Sequence, residues 1–317
     1  MMQKILVTGA LGQIGSELVP ALRERYGTEA IVASGIRFRP VSAVTEGSIF
    51  EILDCTNVDE ISTIVQKHNI GTIYHMAAIM SAVGEKQPED AWDLNFGAFA
   101  NILKVARQQR CAVFFPSSIG AFGPTTPSHN TPQNTLQRPT TIYGIAKVAG
   151  ELLSDYYYAR FDLDTRGLRL PGLISNVTPP GGGTTDYAVD IFYQAVRENR
   201  YTCFLRADTR LDMMYMPDAI SSIMQLMEAD ASQLSHRNAF NVTAMSITPA
   251  ELAAEIRRHI PDFVMDYDVD PLRQAIADSW PDSMDDSAAR AEWGWSPGYD
   301  LATMTKDMLE TVRTKLT

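Results

Sequence analysis

The segment Thr8-Gly9-Ala10-Leu11-Gly12-Gln13-Ile14-Gly15 constrains this chain more than any other. It follows an apolar run, Ile5-Leu6-Val7, and leads into helical periodicity at 13–25. Glycines at G-x-x-G-x-x-G spacing permit a tight turn and a close approach of backbone to ligand. The helix start behind them offers unpaired N–H groups and a positive dipole end, which suit a pyrophosphate. The bare pattern also fits an ordinary strand–helix turn. Its position directly after the first strand is what favours a dinucleotide, with Gly9, Leu11, Gly12, Gln13, Ile14 and Gly15 in contact.

The first half of the chain repeats this alternation. Apolar runs at 5–7, 30–33, 72–75, 113–115 and 165–170 read as strands. Amphipathic stretches at 13–25, 58–68, 89–108 and 143–160 read as helices. Such alternation predicts an α/β fold: a doubly wound parallel Rossmann sheet covered on both faces. Beyond Pro171 the pattern loosens. Pro179-Pro180-Gly181-Gly182-Gly183 breaks the chain, and helical stretches follow near 186–198, 217–227, 249–259 and 302–315. The expected division is a dinucleotide-binding domain at 1–172, to which later segments return, and a smaller C-terminal α/β substrate-binding lobe at 173–317.

Composition narrows the function classes. The 317 residues are 45% hydrophobic, enough for a sizeable core. The net charge of −11 is spread along the chain, which argues against nucleic acid or an anionic membrane as partner. No apolar run reaches the ~20 residues of a membrane helix, and the start, Met1-Met2-Gln3-Lys4, has no signal-peptide pattern. Cys55, Cys111 and Cys203 are scattered, as reduced thiols of a cytoplasmic protein would be. No metal-ligand spacing is present.

The remaining cofactor contacts are expected at strand ends. Ser34 and Gly35 close the second strand, where a dinucleotide fold usually carries an acid for the ribose hydroxyls. Gly35 is followed by Arg37 and Arg39. Arg37 either neutralises a 2′-phosphate, favouring NADP, or packs on adenine or faces water, with NAD as cofactor. Leu53-Asp54-Cys55 follows the next strand; Asp54 accepts from an adenine amino group or caps the helix near 58. The small residues of Met76-Ala77-Ala78 let a cofactor lie against the backbone or simply pack tightly.

The chemistry points to Tyr143-Gly144-Ile145-Ala146-Lys147. Four residues apart on a helix, the phenol and the ammonium share one face. A cation ~4 Å away at an effective dielectric of ~20 stabilises a phenolate by ~4 kcal/mol, roughly three pKa units. That brings Tyr143 near working pH as a general base. Alone, such a pair also decorates many surface helices. Ser117 and Ser118 strengthen the reading, because they end the strand after Val113-Phe114-Phe115, where ligands bind in open α/β sheets. Asn95 anchors a proton-relaying water or is a surface or capping amide.

With these residues in place the chain resembles the extended short-chain dehydrogenase/reductase superfamily. The glycine spacing, Asn95, Ser118, Tyr143 and Lys147 match its motifs in order. Within it, the chain is most similar to the short-chain type of L-threonine 3-dehydrogenases. The carrying segments are Pro116-Ser117-Ser118-Ile119-Gly120, Arg169-Leu170-Pro171-Gly172-Leu173-Ile174, Gly182-Gly183-Thr184-Thr185-Asp186, Ser279-Trp280-Pro281, Asp285-Asp286-Ser287-Ala288-Ala289-Arg290 and Trp293-Gly294-Trp295.

The resemblance implies NAD-dependent oxidation of the threonine side-chain alcohol to 2-amino-3-ketobutyrate. Tyr143 would be the acid/base, Lys147 would lower its pKa, and Ser118 would hold the reacting oxygen. Asn95, Pro116, Ser117, Leu170, Pro171, Gly172 and Ile174 join the cofactor contacts. Ser81, Ser118, Tyr143, Thr178, Gly183, Thr184, Thr185 and Trp280 are expected around the substrate. Hydroxyls and N–H groups of the Gly-rich turn would bind its carboxylate, and Gly181–Gly183 would hinge a lid. Trp280 either touches substrate or packs beneath it, and the ammonium partner is unassigned. That family has Asp where this chain has Gly35, so NADP stays open beside NAD. A homodimer is implied through 95–108 and 143–160, although Phe96, Phe99, Leu103, Leu152 and Tyr156 suit a core equally.

Two rival readings remain. A nucleotide-sugar epimerase or dehydratase shares the fold, but typically grips its diphosphate with an Arg-Asp pair. Here Arg210 stands one place early and Leu211 occupies the slot. A non-catalytic dinucleotide sensor often loses the tyrosine and lysine that this chain keeps.

Overall fold

A computed structural model describes residues 3–40, 42–178 and 181–316, so Pro179 and Pro180 of the breaker cluster lie outside the described residues, as do Met1 and Met2. The strands are β1 (Lys4–Thr8), β2 (Ile31–Gly35), β3 (Ile49–Ile52), β4 (Ile70–His75), β5 (Ala112–Ser118) and β6 (Thr165–Leu170), then β7 (Gly172–Ile174), β8 (Arg200–Cys203), β9 (Leu211–Tyr215), β10 (Phe240–Asn241), β11 (Met245–Ile247) and β12 (Val264–Tyr267). Seven form a parallel sheet in the order β10-β6-β5-β4-β1-β2-β3. The order reverses beside β1, so the ends of β1 and β4 flank the switch-point crevice where such sheets bind ligands.

Leu6, Val7, Val113 and Phe114 are fully buried, as strands covered on both faces require. The helices Gly15–Tyr26, Val58–His68, Ala98–Gln109 and Ile142–Phe161 supply those covers. Their ends follow local chemistry. Thr141 Oγ1 accepts from Gly144 N at 3.1 Å and starts the helix carrying Tyr143. Asn57 caps Val58–His68, accepting from the N–H groups of Asp59 and Glu60.

After β7 the chain keeps returning to the first layer. β10 extends the large sheet beside β6, and the helix Met216–Glu228 packs on the same core. The second lobe is built on a three-stranded sheet, β11-β9-β7, and a pair, β12-β8. Its core gathers Tyr187, Phe192, Met213 and Met308 with Trp280 at the margin. Among the described residues no helix is long and apolar enough to cross a membrane.

Asp212 on β9 fixes the segment that carries Trp280. It has no exposure, accepts from Met284 N at 2.8 Å, and accepts from the Thr243 hydroxyl. Nearby, Thr131 N donates to Ser283 O and Asp285 N to Thr131 O. Burial pushes the Asp212 carboxyl up to about 7 from 3.8. The folded protein therefore holds this proton more tightly than the unfolded chain. The resulting stabilisation is complete below about pH 3.8 and is lost as pH rises through about 7. Asp212→Asn carries no charge, and it can still accept from Met284 N while its Nδ2 donates to the Thr243 hydroxyl. Its melting temperature relative to wild type is expected to be higher at pH 8 than at pH 4; the same difference at both would contradict the assignment.

Candidate active site

A cavity of about 300 Å³ opens at the carboxyl ends of β1, β4, β5 and β6. At one end lies the glycine turn. Gly9 has φ +62°, and a Cβ there would stand 2.7 Å from Ala77 N. A Cβ on Gly15 would stand 2.4 Å from Gly9 O, so the helix can meet the turn only without a side chain. No side chain caps the helix Gly15–Tyr26. Gln13 lines the cavity, and its Nε2 is buried without a hydrogen-bond partner. An uncapped helix start beside an orphaned donor fits a pyrophosphate. Gly12, Ile14, Met76, Ala78, Leu170, Pro171 and Gly172 line the same cavity, whereas Gly9, Leu11 and Ala77 are outside its lining, Gly9 and Ala77 meeting in the turn.

The adenosine end is only partly as expected. Ser34 is fully buried and its hydroxyl donates to Val7 O at 3.2 Å, so its side chain serves the sheet. A Cβ on Gly35 would meet ordinary contacts, Phe50 Cζ at 3.5 Å and Arg37 O at 3.8 Å, and Arg37 is exposed. Leu53 and Cys55 are buried; Leu53 N donates to Gly35 O at 3.0 Å. Asp54 does not cap the following helix, because Asn57 does. Its Oδ1 instead accepts from the N–H and hydroxyl of Thr56, at 2.9 and 2.7 Å. Ile174 is a core residue.

At the other end Pro116, Ser117, Ser118, Tyr143 and Lys147 line one wall. Ser118 Oγ accepts from Gly120 N at 3.0 Å, which fixes the hydroxyl at the strand end. Lys147 Nζ donates to Pro116 O at 2.6 Å and lies 5.3 Å from the Tyr143 ring centre. The electrostatics of the free site run against the sequence expectation. Burial raises the Tyr143 phenol above its ordinary range, with Ser118 pulling it partly back. Burial also brings the Lys147 ammonium down to about 7, against the charge of Glu151. A lysine drawn toward neutrality gives a phenolate less support than a full ammonium would, and desolvation is the largest influence on both groups. His75, at the end of β4, stays neutral for the same reason: burial, then the charge of Lys147, lowers it to about 3.

Behind this wall stands a group the sequence reading passed over. Glu151 accepts from the Ser117 hydroxyl, from Arg169 Nε and Nη2 at 3.0 and 2.8 Å, and from Gln137 Nε2 at 2.9 Å. Its signal was the four-residue step from Lys147 along one helix face. Asn95 also lies behind a wall. It sits in a single π-helical turn, Asp93–Gly97, where its Nδ2 donates to Ile79 O at 2.9 Å and its Oδ1 accepts from Ile79 N at 2.7 Å. It positions the strand-end segment whose Ala78, Met80 and Ser81 face the cavity.

Ser81, Gly183, Thr184, Thr185 and Trp280 also line the cavity, with Ser81 and Thr184 hydroxyls 3.2 Å apart. Two expectations change. Thr178 is outside the cavity lining; its Oγ1 is 2.6 Å from Ser16 Oγ, on the cofactor-side helix. The N–H groups of Gly182 and Gly183 do not await a carboxylate, since both donate to Asp186 Oδ2 at 2.7 Å. Met80, Ile119, Leu173, Gly181 and Asp186 line the cavity without having been expected there. Asp186 had a signal, a lone acid between two threonines and an apolar helix.

Residues 5–243 match the NAD dependent epimerase/dehydratase family. The L-threonine dehydrogenase structure from Clostridium difficile superposes with a TM-score of 0.97 at 55% identity, covering 99% of this chain and 98% of that one. A monomeric L-threonine 3-dehydrogenase from a metagenome is 44% identical, with a TM-score of 0.95 over 99% of this chain and 100% of its own. An uncharacterized epimerase/dehydratase of Staphylococcus saprophyticus is 54% identical over 314 residues, 99% of this chain and 98% of its own. The glycine turn, the uncapped helix start and the orphaned Gln13 donor fit the cofactor such relatives share. This chain is an NAD-dependent oxidoreductase that belongs to the NAD dependent epimerase/dehydratase family within the extended short-chain dehydrogenase/reductases.

Proposed function

We propose that this enzyme oxidises the side-chain hydroxyl of L-threonine to 2-amino-3-ketobutyrate. The observation that carries this reading is one small cavity in which Tyr143, Ser118 and Lys147 meet the hydroxyls of Ser81, Thr184 and Thr185. Its substrate end is lined by small hydroxyl side chains and Trp280, beside the cofactor end of the same cavity. The nucleotide-sugar reading lacks its anchor. Arg210 donates to Ser246 O at 2.7 Å and to Glu251 Oε1 at 2.6 Å, and is not part of the cavity wall.

NAD, when bound, supplies the two-electron acceptor at nicotinamide C4. The glycine turn and Gln13 would hold its pyrophosphate, and Lys147 its nicotinamide ribose. Ser118 orients the threonine hydroxyl by a hydrogen bond. Tyr143 takes the hydroxyl proton as hydrogen leaves C3 with its electron pair. Lys147 supports the phenolate in the closed complex, where the positive nicotinamide ring adds to its effect. The apolar walls at Ile119, Leu170 and Leu173 exclude water.

Initial rates with threonine and NAD test this reading. Wild type is expected to form reduced cofactor with threonine and to leave a UDP-hexose unconverted, the sugar being followed by chromatography because an epimerase returns its hydride; conversion of the sugar with no turnover of threonine would overturn it. Tyr143→Phe is expected to retain cofactor binding while losing at least ~100-fold in kcat, the low end of general-base catalysis. Full activity in that variant would remove Tyr143 as the base.

The raised Tyr143 phenol sets the pH dependence. A base held above its ordinary range acts only as pH rises toward it, so kcat/KM for threonine is expected to climb from neutral into alkaline pH. A flat or falling profile would contradict the assignment. NADP rates in the same assay measure how far Gly35 and Arg37 relax cofactor choice.

Pairing of two copies is part of the proposal. Phe99 and Leu103 are core residues, but Ile145, Leu152 and Tyr156 are exposed on the helix Ile142–Phe161. Residues at these spacings form one apolar stripe. Light scattering is expected to give the mass of a dimer; a monomer mass, as in the metagenomic relative, would refute pairing.

A further inference from the structure

We infer that Asp186 binds the α-ammonium of the substrate and so selects amino acids over hydroxy acids; this deepens the threonine reading and depends on it. Among the described residues lining the cavity, only Lys147 and Asp186 carry a formal charge. Lys147 is held at the Tyr143 end by Pro116 O. Asp186 is the one carboxylate left to meet a cation.

Its two oxygens are in different positions. Oδ2 is occupied by the N–H groups of Gly182 and Gly183, which anchor the carboxylate against the Gly-rich turn. Oδ1 has no hydrogen-bond partner among the described residues and stays accessible, in a residue of 7% exposure that lines the cavity. A carboxylate oxygen left open on a mostly apolar cavity wall is a ready acceptor for an incoming donor. An ammonium is the strongest such donor, because its bond is charge-assisted.

The neighbouring charges do not fill this role. Asp190, one helical turn on, carries the same sign and disfavours a second bare carboxylate. Burial raises the Asp186 carboxyl above its ordinary range, and the Gly182 and Gly183 N–H groups and distant Arg273 pull it partly back; the Arg273 guanidinium lies 4.2 Å from the Phe204 ring centre and outside the cavity lining. Thr184 and Thr185 directly precede Asp186, and Thr184 meets Ser81. Their hydroxyls suit the substrate carboxylate, which leaves the carboxylate-bearing side of the turn for the ammonium. The two ends of a zwitterion are thereby told apart by one short segment.

The test compares threonine with (R)-3-hydroxybutyrate, which is threonine with hydrogen in place of the ammonium. Asp186→Asn keeps an oxygen for the two glycine N–H groups and removes only the charge. Its KM for threonine is expected to rise about tenfold or more, while the inhibition constant of 3-hydroxybutyrate against threonine changes by less than about twofold, since a charge-assisted bond is lost only with the former. Should Asp186→Asn fail to fold, Asp186→Ser carries the same expectation. Equal weakening of both ligands would make Asp186 a turn anchor only and overturn the inference, as would no change in either. Wild type inert toward threonine would instead overturn the threonine reading itself.

Discussion

The active-site wall depends on a buried carboxylate, Glu151. Lys147 is buried beside it, and a buried ammonium is tolerated only where a counter-charge or several acceptors stand close. Pro116 O is one acceptor at 2.6 Å, and Glu151, one helical turn along, is the counter-charge. Glu151 in turn is held by Arg169 on β6, by Ser117 on β5 and by Gln137 in the loop between. One carboxylate therefore links both strands and the helix that deliver Ser118, Tyr143 and Lys147. Removing it would leave Lys147 and Arg169 uncompensated together.

That arrangement gives the reactive tyrosine a character that spacing alone does not convey. Tyr143 and Lys147 do share a helix face, as the four-residue step implies. In a wall this dry, however, desolvation raises the phenol and lowers the ammonium at once. The free site is thus nearly uncharged at the tyrosine, and the phenolate becomes favourable only as positive charge gathers around it. A site of this kind resists idle proton exchange with solvent and is matched to a cationic cofactor ring.

Much of this was legible in the sequence. The strand–helix alternation and the glycine turn located the sheet, the crevice and the pyrophosphate end, because both follow from local periodicity and backbone sterics. Ser118, Tyr143, Lys147, Thr184, Thr185 and Trp280 reach one cavity as read. What failed was set by three-dimensional pairing. Thr178 looks like its neighbours Thr184 and Thr185 in sequence, yet meets Ser16 because the chain crosses the cofactor-side helix before reaching the pocket. Asp54 has the residue type of a cap, but Asn57 stands in the capping position. Asn95 reads as a polar helix residue, and only the fold reveals its reciprocal bonds to Ile79. Asp186 reads as a helix start, while its carboxylate in fact consumes the glycine N–H groups expected to hold a substrate.

The proposed oxidation of threonine at C3, with Tyr143 as its base, is tested most directly by isotope transfer. L-Threonine deuterated at C3 is incubated with the protein and NAD, and the reduced cofactor is recovered and weighed by mass spectrometry. One deuterium per reduced cofactor is the expected result, with none formed by Tyr143→Phe. Reduced cofactor that carries no deuterium, or threonine returned unchanged by the wild-type protein, would contradict it.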